Sequence, residues 1–215
     1  MIFKDRADAG RMLAQALLSY AGQDAVVYAL PRGGVVVAAE IARVLHAPMD
    51  LIVVRKVGHP YSPEYAIAAV AEDGHMVANW NEVQSIGKEC FDESVRIEQE
   101  EARRRRKLYL GGRSPIPATD KIAIIVDDGL ATGLTMFAAI QEVRHSSPGK
   151  IVVAVPVAPP QTIQQLKKKA DDVIALHVTR DFAAIGSFYM RFDQVSDEEV
   201  IRLLVSYAGT EPNRN

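Results

Sequence analysis

Asp127 and Asp128 stand side by side after an apolar run, Ile122 to Val126, and before Gly129, Leu130, Ala131, Thr132, Gly133 and Thr135. Ionised carboxylates at a strand end accept hydrogen bonds from hydroxyls and approach hard cations. The small and hydroxylic residues behind them lead into a helical pattern and leave backbone N–H groups facing outward, which favours an anion, phosphate above all. Carboxylates beside such a cradle suit a ligand that carries hydroxyls, or a Mg²⁺, next to its phosphate. A sugar phosphate has that shape. Acid pairs at strand ends also occur in receiver domains and metal-dependent phosphatases, and some are merely solvated. A phosphatase would want further acidic ligands at other strand ends, and no convincing set is present.

Three other stretches carry chemistry. In Pro31-Arg32-Gly33-Gly34 the adjacent glycines admit a ligand close to the main chain, and Arg32 offers a fork of donors to a phosphate. Arg55-Lys56 follows an apolar strand pattern, and basic residues past a strand's C-terminal end lie on the ligand edge of a parallel α/β sheet. Phe182 follows the last core strand, where a ring can stack on a flat acceptor. Phe188 and Tyr189 read as core or rim.

The run Ala123 to Thr135 resembles the phosphoribosyl-pyrophosphate (PRPP) binding motif of type I phosphoribosyltransferases: four apolar residues, two acids, then a short Thr/Gly loop. The likeness is greatest to the members whose acceptor is undefined, and DDGLATGLT is most similar to the adenine phosphoribosyltransferase loop. Gly129 departs, standing where an aliphatic residue is usual. The resemblance implies transfer of the 5-phosphoribosyl group from PRPP to a nitrogen acceptor, a nucleobase being the expected one, with release of pyrophosphate. On that basis Asp127 and Asp128 hold the ribose, and Gly129 to Gly133 with Thr135 anchor the 5′-phosphate. Arg32, Gly33, Gly34, Arg55 and Lys56 take the pyrophosphate, and Asp127, Asp128, Arg32 and Lys56 are the expected catalytic residues. Mg²⁺ is the implied cofactor, held through PRPP and water rather than by direct protein ligands.

Phe182 lies in a segment similar to the base-recognition segment of hypoxanthine-guanine phosphoribosyltransferases, although one residue longer before its glycine. The 6-oxopurine enzymes place an acid three positions after the acid pair. Ala131 stands there, as in adenine phosphoribosyltransferases, which counts against a hypoxanthine or guanine acceptor and removes the obvious general base. His59, Glu64 and Glu72 are candidates to replace it. The rival expectation is a PRPP- or nucleotide-binding regulator on the same fold without transferase activity. A homodimer is implied by resemblance only.

The elements that position these residues alternate strand and helix. Asp5 to Tyr20 reads as an amphipathic helix with Met12, Leu13, Ala16, Leu17 and Tyr20 inward. Strands follow at Ala25 to Leu30 and Leu51 to Val54, separated by a helix marked by Val37, Ile41, Val44 and Leu45. Ala66 to Ala71 and His75 to Asn79, joined by Glu72-Asp73-Gly74, read as a hairpin. A long helix from Asn81 to Tyr109 is predicted, with Glu100–Arg104 and Glu101–Arg105 pairs and Arg103 to Arg106 as a solvated face. After the acid pair come a helix bearing Met136, Ile140 and Val143, a strand over Ile151 to Val157, a helix marked by Ile163, Leu166 and Ala170, and a strand over Val173 to Val178. Ser196 and Glu199 form a capping box for a last helix with Val200, Leu203, Leu204 and Tyr207 inward. The expected fold is α/β: a type I phosphoribosyltransferase-like parallel sheet flanked by helices, one domain over 1–215, with a hood or lid inserted at about 58–117.

The 215 residues, 48% apolar and 24% charged, suit such a domain. A formal net charge of −2 provides no global field for nucleic acid or anionic membrane. The single Cys90 excludes an internal disulfide. No apolar stretch spans a bilayer, and charges between Met1 and Arg11 interrupt any signal-peptide core, so the cytoplasm is the expected compartment.

Overall fold

The computed structural model describes residues 1–207, apart from the side chains of Glu64 and Tyr207. Residues 208–215 of the expected single domain, the inward Tyr207 and the candidate base Glu64 therefore lie outside the described parts.

Five strands form an all-parallel sheet in the order β2-β1-β6-β7-β8: β1 (Ala25–Ala29), β2 (Met49–Leu51), β6 (Ile122–Val126), β7 (Lys150–Ala158) and β8 (Asp172–Val178). Their near-continuous apolar sequences reflect burial on both faces. Side chains alternate accordingly: Val27, Ala29, Ile124 and Val126 meet α1 (Arg6–Ala16), α2 (Gly33–Leu45) and α7 (Asp197–Tyr207), while Val26, Tyr28, Ala123 and Ile125 meet α5 (Leu134–His145) and α6 (Pro160–Leu166). The chain moves outward from β1 to β2 and then returns to β6 on β1's other side. The order reverses between β1 and β6, the place where parallel α/β sheets open a ligand crevice.

Between β2 and β6 the chain builds a hood. β3 (Val54–His59), β4 (Ser62–Ala71) and β5 (Met76–Ala78) form an antiparallel sheet with its own core of Val57, Ile67, Val70, Val83 and Phe91. It packs against α3 (Trp80–Ile86) and α4 (Lys88–Leu110). The expected strand over Leu51 to Val54 is corrected here. The core strand ends at Leu51, the chain crosses through buried Ile52 and Val53, and Arg55-Lys56 lie within the first hood strand. The long helix is two helices, because Gly87 adopts φ 82°, outside the helical region. On α1, Met12 and Ala16 are exposed, and Ala9, Gly10 and Ala14 join Leu13 in the inward positions. Ala170 lies beyond α6, which ends at Leu166. The capping box is seen on one side, with Glu199 N–H donating to Ser196 Oγ at 3.2 Å.

The arginine run also departs from expectation. Glu101 takes both Arg104 and Arg105, whereas Glu100 pairs with Arg96. Arg106 is no solvated residue: its side chain is 12% exposed, with Nε 2.9 Å from Glu72 Oε1, one terminal nitrogen 2.7 Å from Leu51 O and the other 3.4 Å from Asp50 Oδ2. Asp50, wholly buried in β2, also accepts the Leu51 and Ile116 N–H groups.

Glu142 on α5 faces the same polar pocket, and its Oε2 is buried without a partner. Burial first, then the Asp73 and Glu72 charges, push its carboxyl up to about 9. The folded state thus holds a proton that the unfolded chain releases near its ordinary value of 4.5, so stability falls as pH rises from there towards 9. Glu142→Gln removes this penalty. It is expected to stabilise the protein by about 2 kcal/mol at pH 8, a rise in melting temperature of about 4–8 °C, and to have little effect near pH 4.5. Melting curves at the two pH values check the sign and the window.

Candidate functional site

The C-terminal ends of β1 and β6 deliver two loops to the crevice between them. The 31–34 loop comes from β1, with a cis Pro31–Arg32 peptide, and Gly33 and Gly34 open α2. These glycines are required by space. A Cβ on Gly33 would lie 1.9 Å from Asp128 Oδ2, and one on Gly34 would lie 2.8 Å from Val126 O and 3.0 Å from Asp127 Cα. The two loops are in direct contact, so the acid pair depends on the absence of side chains opposite it.

From β6 the chain passes Asp127 and Asp128 and reaches the turn that opens α5. A cavity of about 300 Å³ is lined by Pro31, Val54, Arg55, Lys56, Asp127, Gly129 to Gly133, Thr135 and Ile185. The N–H groups of Ala131, Thr132 and Gly133 have no hydrogen-bond partner among the described residues. The first turn of α5 adds donors that no helix satisfies internally. The Leu130 N–H is committed, donating to Val157 O at 2.9 Å, so it leaves the expected phosphate-binding set. Thr162 Oγ1 donates to Ala131 O at 2.6 Å and pins the turn from α6. Gly129, the departure from the motif, has φ 156°, and a Cβ there would meet Ile185 Cγ2 at 2.7 Å. Ile185 occupies the space that an aliphatic residue at 129 would need.

Other expected residues lie elsewhere. Asp128 does not line the cavity; its Oδ2 accepts from Arg6 Nε at 2.7 Å. Arg32 faces Asp197 of α7 at 3.6 Å, with both side chains about 40% exposed, and such a pair is weak. Arg55 lines the cavity but bonds Glu98 of α4 at 2.8 Å. Lys56 lines it, exposed and without a bonded partner among the described residues. His59 is engaged within its own hairpin, its Nδ1 accepting the Tyr61 N–H at 3.3 Å, and Glu72 is held by Arg106. Phe182 packs on Phe188, ring centres 5.4 Å apart, and is not a wall of this cavity. Phe188 and Tyr189 are core.

Burial, then the Asp128 charge, raises the Asp127 carboxyl well above the ordinary range, opposed by Lys56. Burial also raises Asp128, opposed by Arg6. A carboxyl in Asp127's position gains from an arriving cation or hydroxyl donor. Sequence reasoning missed Arg6. Its one signal is a cation in the first turn of a helix, where the dipole disfavours positive charge.

Comparisons with known proteins agree with this geometry. The family model described as "Phosphoribosyl transferase domain" matches residues 2–192. A Mycobacterium tuberculosis H37Rv protein named "Putative phosphoribosyl transferase Rv0571c" is 44% identical over 205 residues, covering 94% of this chain, and the chain spans 46% of that relative's length. The crystal structure of TT1426 from Thermus thermophilus is 41% identical with a TM-score of 0.82, over 97% of this chain and 100% of that one. A purine phosphoribosyltransferase from Pyrococcus horikoshii is 18% identical with a TM-score of 0.50, over 89% of this chain and 92% of the other, a likeness of fold alone. A parallel sheet flanked by helices, an acid pair at its switch point and a family match over most of its length together show that this chain belongs to the phosphoribosyl transferase domain family.

Proposed function

We propose that the chain transfers the 5-phosphoribosyl group of PRPP to a nitrogen acceptor, a nucleobase being the favoured class, with release of pyrophosphate. One observation carries the reading: unbonded loop amides, a carboxylate and two cations converge on one cavity at the sheet's switch point. The 131–133 amides and the Thr132 and Thr135 hydroxyls grip the 5′-phosphate, and this remote binding energy fixes the position of ribose C1. Asp127 takes ribose hydroxyls and stabilises the positive charge that develops on the ring as the C1–O bond to pyrophosphate lengthens. Lys56, Arg55 and, after release from Asp197, Arg32 offset the charge gathering on the leaving group. The acceptor nitrogen donates its lone pair to C1 as the C1–O bond to pyrophosphate breaks, and its proton then passes to solvent water at the open mouth of the cavity.

The donor set is a carboxylate with main-chain groups and no thiolate, which fits a hard cation held through substrate oxygens and water, as expected of Mg²⁺. When bound it would neutralise pyrophosphate charge. Asp127 is the one carboxylate lining the cavity among the described residues, and the exposed Ala131 supports an acceptor that needs no acid at that position.

A second reading has its own support. Arg32 and Arg55 are engaged with Asp197 and Glu98, an arrangement that suits a PRPP-binding regulator with a weak pyrophosphate site. Calorimetric titration with PRPP, with and without Mg²⁺, tests the common part. The Asp127→Asn/Asp128→Asn double variant is expected to bind about 100-fold more weakly, the equivalent of about 2.8 kcal/mol. Pyrophosphate release with nucleobases, adenine first, separates enzyme from regulator. Failure of PRPP to bind wild-type protein would end both readings.

A further inference from the structure

At the far end of α5 from the phosphate loop, the hood and the core meet through two histidines. His75 follows the 72–74 turn between β4 and β5, and His145 ends α5. Their Nε2 atoms lie 2.9 Å apart, with ring centres 3.6 Å apart and planes inclined by 34°. The other nitrogen of each ring is already engaged. His75 Nδ1 donates to the Asp73 carboxylate, and His145 Nδ1 donates to Gln141 O at 2.9 Å, one turn back along α5. A carbonyl and a carboxylate only accept, so each neutral ring carries its proton on Nδ1 and keeps a lone pair on Nε2. Two such nitrogens this close repel each other unless a positive charge joins them.

The surroundings suit a metal ion. Imidazoles that ligate a metal through one nitrogen usually donate from the other to a carboxylate or a main-chain carbonyl, and these two rings show one of each. His145 stands at the C-terminus of α5, where the helix dipole favours a cation. In the adjoining cavity Asp50, Glu72 and Asp73 outnumber Arg106, the one guanidinium lining it. Both rings are reachable, His145 being exposed and the His75 side chain 29% exposed.

We propose that His75 and His145 are a chelating pair for a transition-metal dication of the Ni²⁺ or Cu²⁺ type, which ties the hood to the core. Among the described residues no group of three or more histidine, cysteine or carboxylate ligands is assembled, so water completes the shell. With metal–nitrogen bonds of about 2.0–2.1 Å, nitrogens 2.9 Å apart subtend about 90° at the ion. That is the cis angle of square-planar and octahedral ions, narrower than the tetrahedral angle of Zn²⁺. The ring centres spread as both lone pairs turn to the ion. The site lies one helix length, about 18 Å, from the 129–133 turn, and is separate from the donor cavity.

Calorimetric titration with NiCl₂, CuCl₂ and ZnCl₂ in a non-chelating buffer tests this on protein without a polyhistidine tag. A Cys90→Ser background removes the exposed thiol as a competing ligand. One equivalent of Ni²⁺ or Cu²⁺ is expected to bind with a micromolar dissociation constant, more tightly than Zn²⁺. His75→Ala and His145→Ala should each abolish this saturable binding. Asp73→Asn, which only orients His75, should weaken it about tenfold. Ni²⁺ should raise the melting temperature of the parent and of neither histidine variant, because the ion bridges two parts of the folded chain.

Melting curves without metal show that each variant folds, and where an alanine variant does not, glutamine at the same position decides. Binding that survives the loss of either histidine overturns the proposal, as does tighter binding of Zn²⁺ than of Ni²⁺. Absence of saturable binding overturns it too, and leaves a shared proton as the charge between the rings.

Discussion

Gly33→Ala is expected to lower PRPP affinity by about 100-fold or more in a protein that still folds. The added Cβ would sit 1.9 Å from Asp128 Oδ2, 2.6 Å from its Cγ and 2.9 Å from Arg6 Nε. A collision with a flexible side-chain end is relieved by rotation, but these atoms have nowhere to go. Asp128 is fixed by Arg6 and through its carbonyl by Tyr189, and Arg6 is fixed by Phe192 and Asp193. Either the acid turn moves or α2 retreats, and both movements part the 31–34 loop from Asp127. Calorimetry with PRPP beside a melting curve separates site damage from unfolding. Unchanged affinity in Gly33→Ala would show that the contact between the two loops is dispensable.

Arg106→Met should produce the largest loss of stability, about 3–5 kcal/mol, because it leaves carboxylates buried without their counter-ion. Asp50 is wholly buried, Glu72 is held at 2.9 Å by the guanidinium, and Leu51 O loses its 2.7 Å donor. Asp50 keeps two main-chain donors, so the remedy lies in charge: adding Asp50→Asn and Glu72→Gln to Arg106→Met should recover much of the loss. Urea unfolding of the single and triple variants measures both. Equal stability of Arg106→Met and wild type would mean that water enters the pocket freely and solvates both acids.

The residues around the cavity were legible because they obey local rules. Ile122 to Val126 is a run of apolar residues that only a doubly covered strand explains, and the Thr/Gly turn after it has one economical use. Residues whose role depends on distant partners were not legible. Arg6 meets Asp128 across most of the chain, and nothing near Arg6 in sequence announces it. Arg103 to Arg106 look alike as letters, yet helix α4 turns Arg104 to solvent and buries Arg106 against the sheet edge. The strand boundary at Leu51 was hidden because Ile52 and Val53 are buried as deeply as a strand would be while the chain changes sheets. The packing of Phe182 on Phe188 and the place of Ile185 in the cavity wall depend on contacts that the order of residues does not announce.

The hood is spliced into one connection of the core, leaving after β2 and returning at β6, and both of those strands flank β1. The strands are parallel, so the splice leaves from the C-terminal edge of the sheet and re-enters at its N-terminal edge, two strand spacings across and four residues along, roughly 16 Å apart. Closing such a gap with a longer chain costs only about 0.6 kcal/mol for each doubling of length. Asp127 and the 129–133 turn belong to the sheet and its own loops, so the roof can be lengthened, shortened or exchanged while that floor of the cavity keeps its geometry.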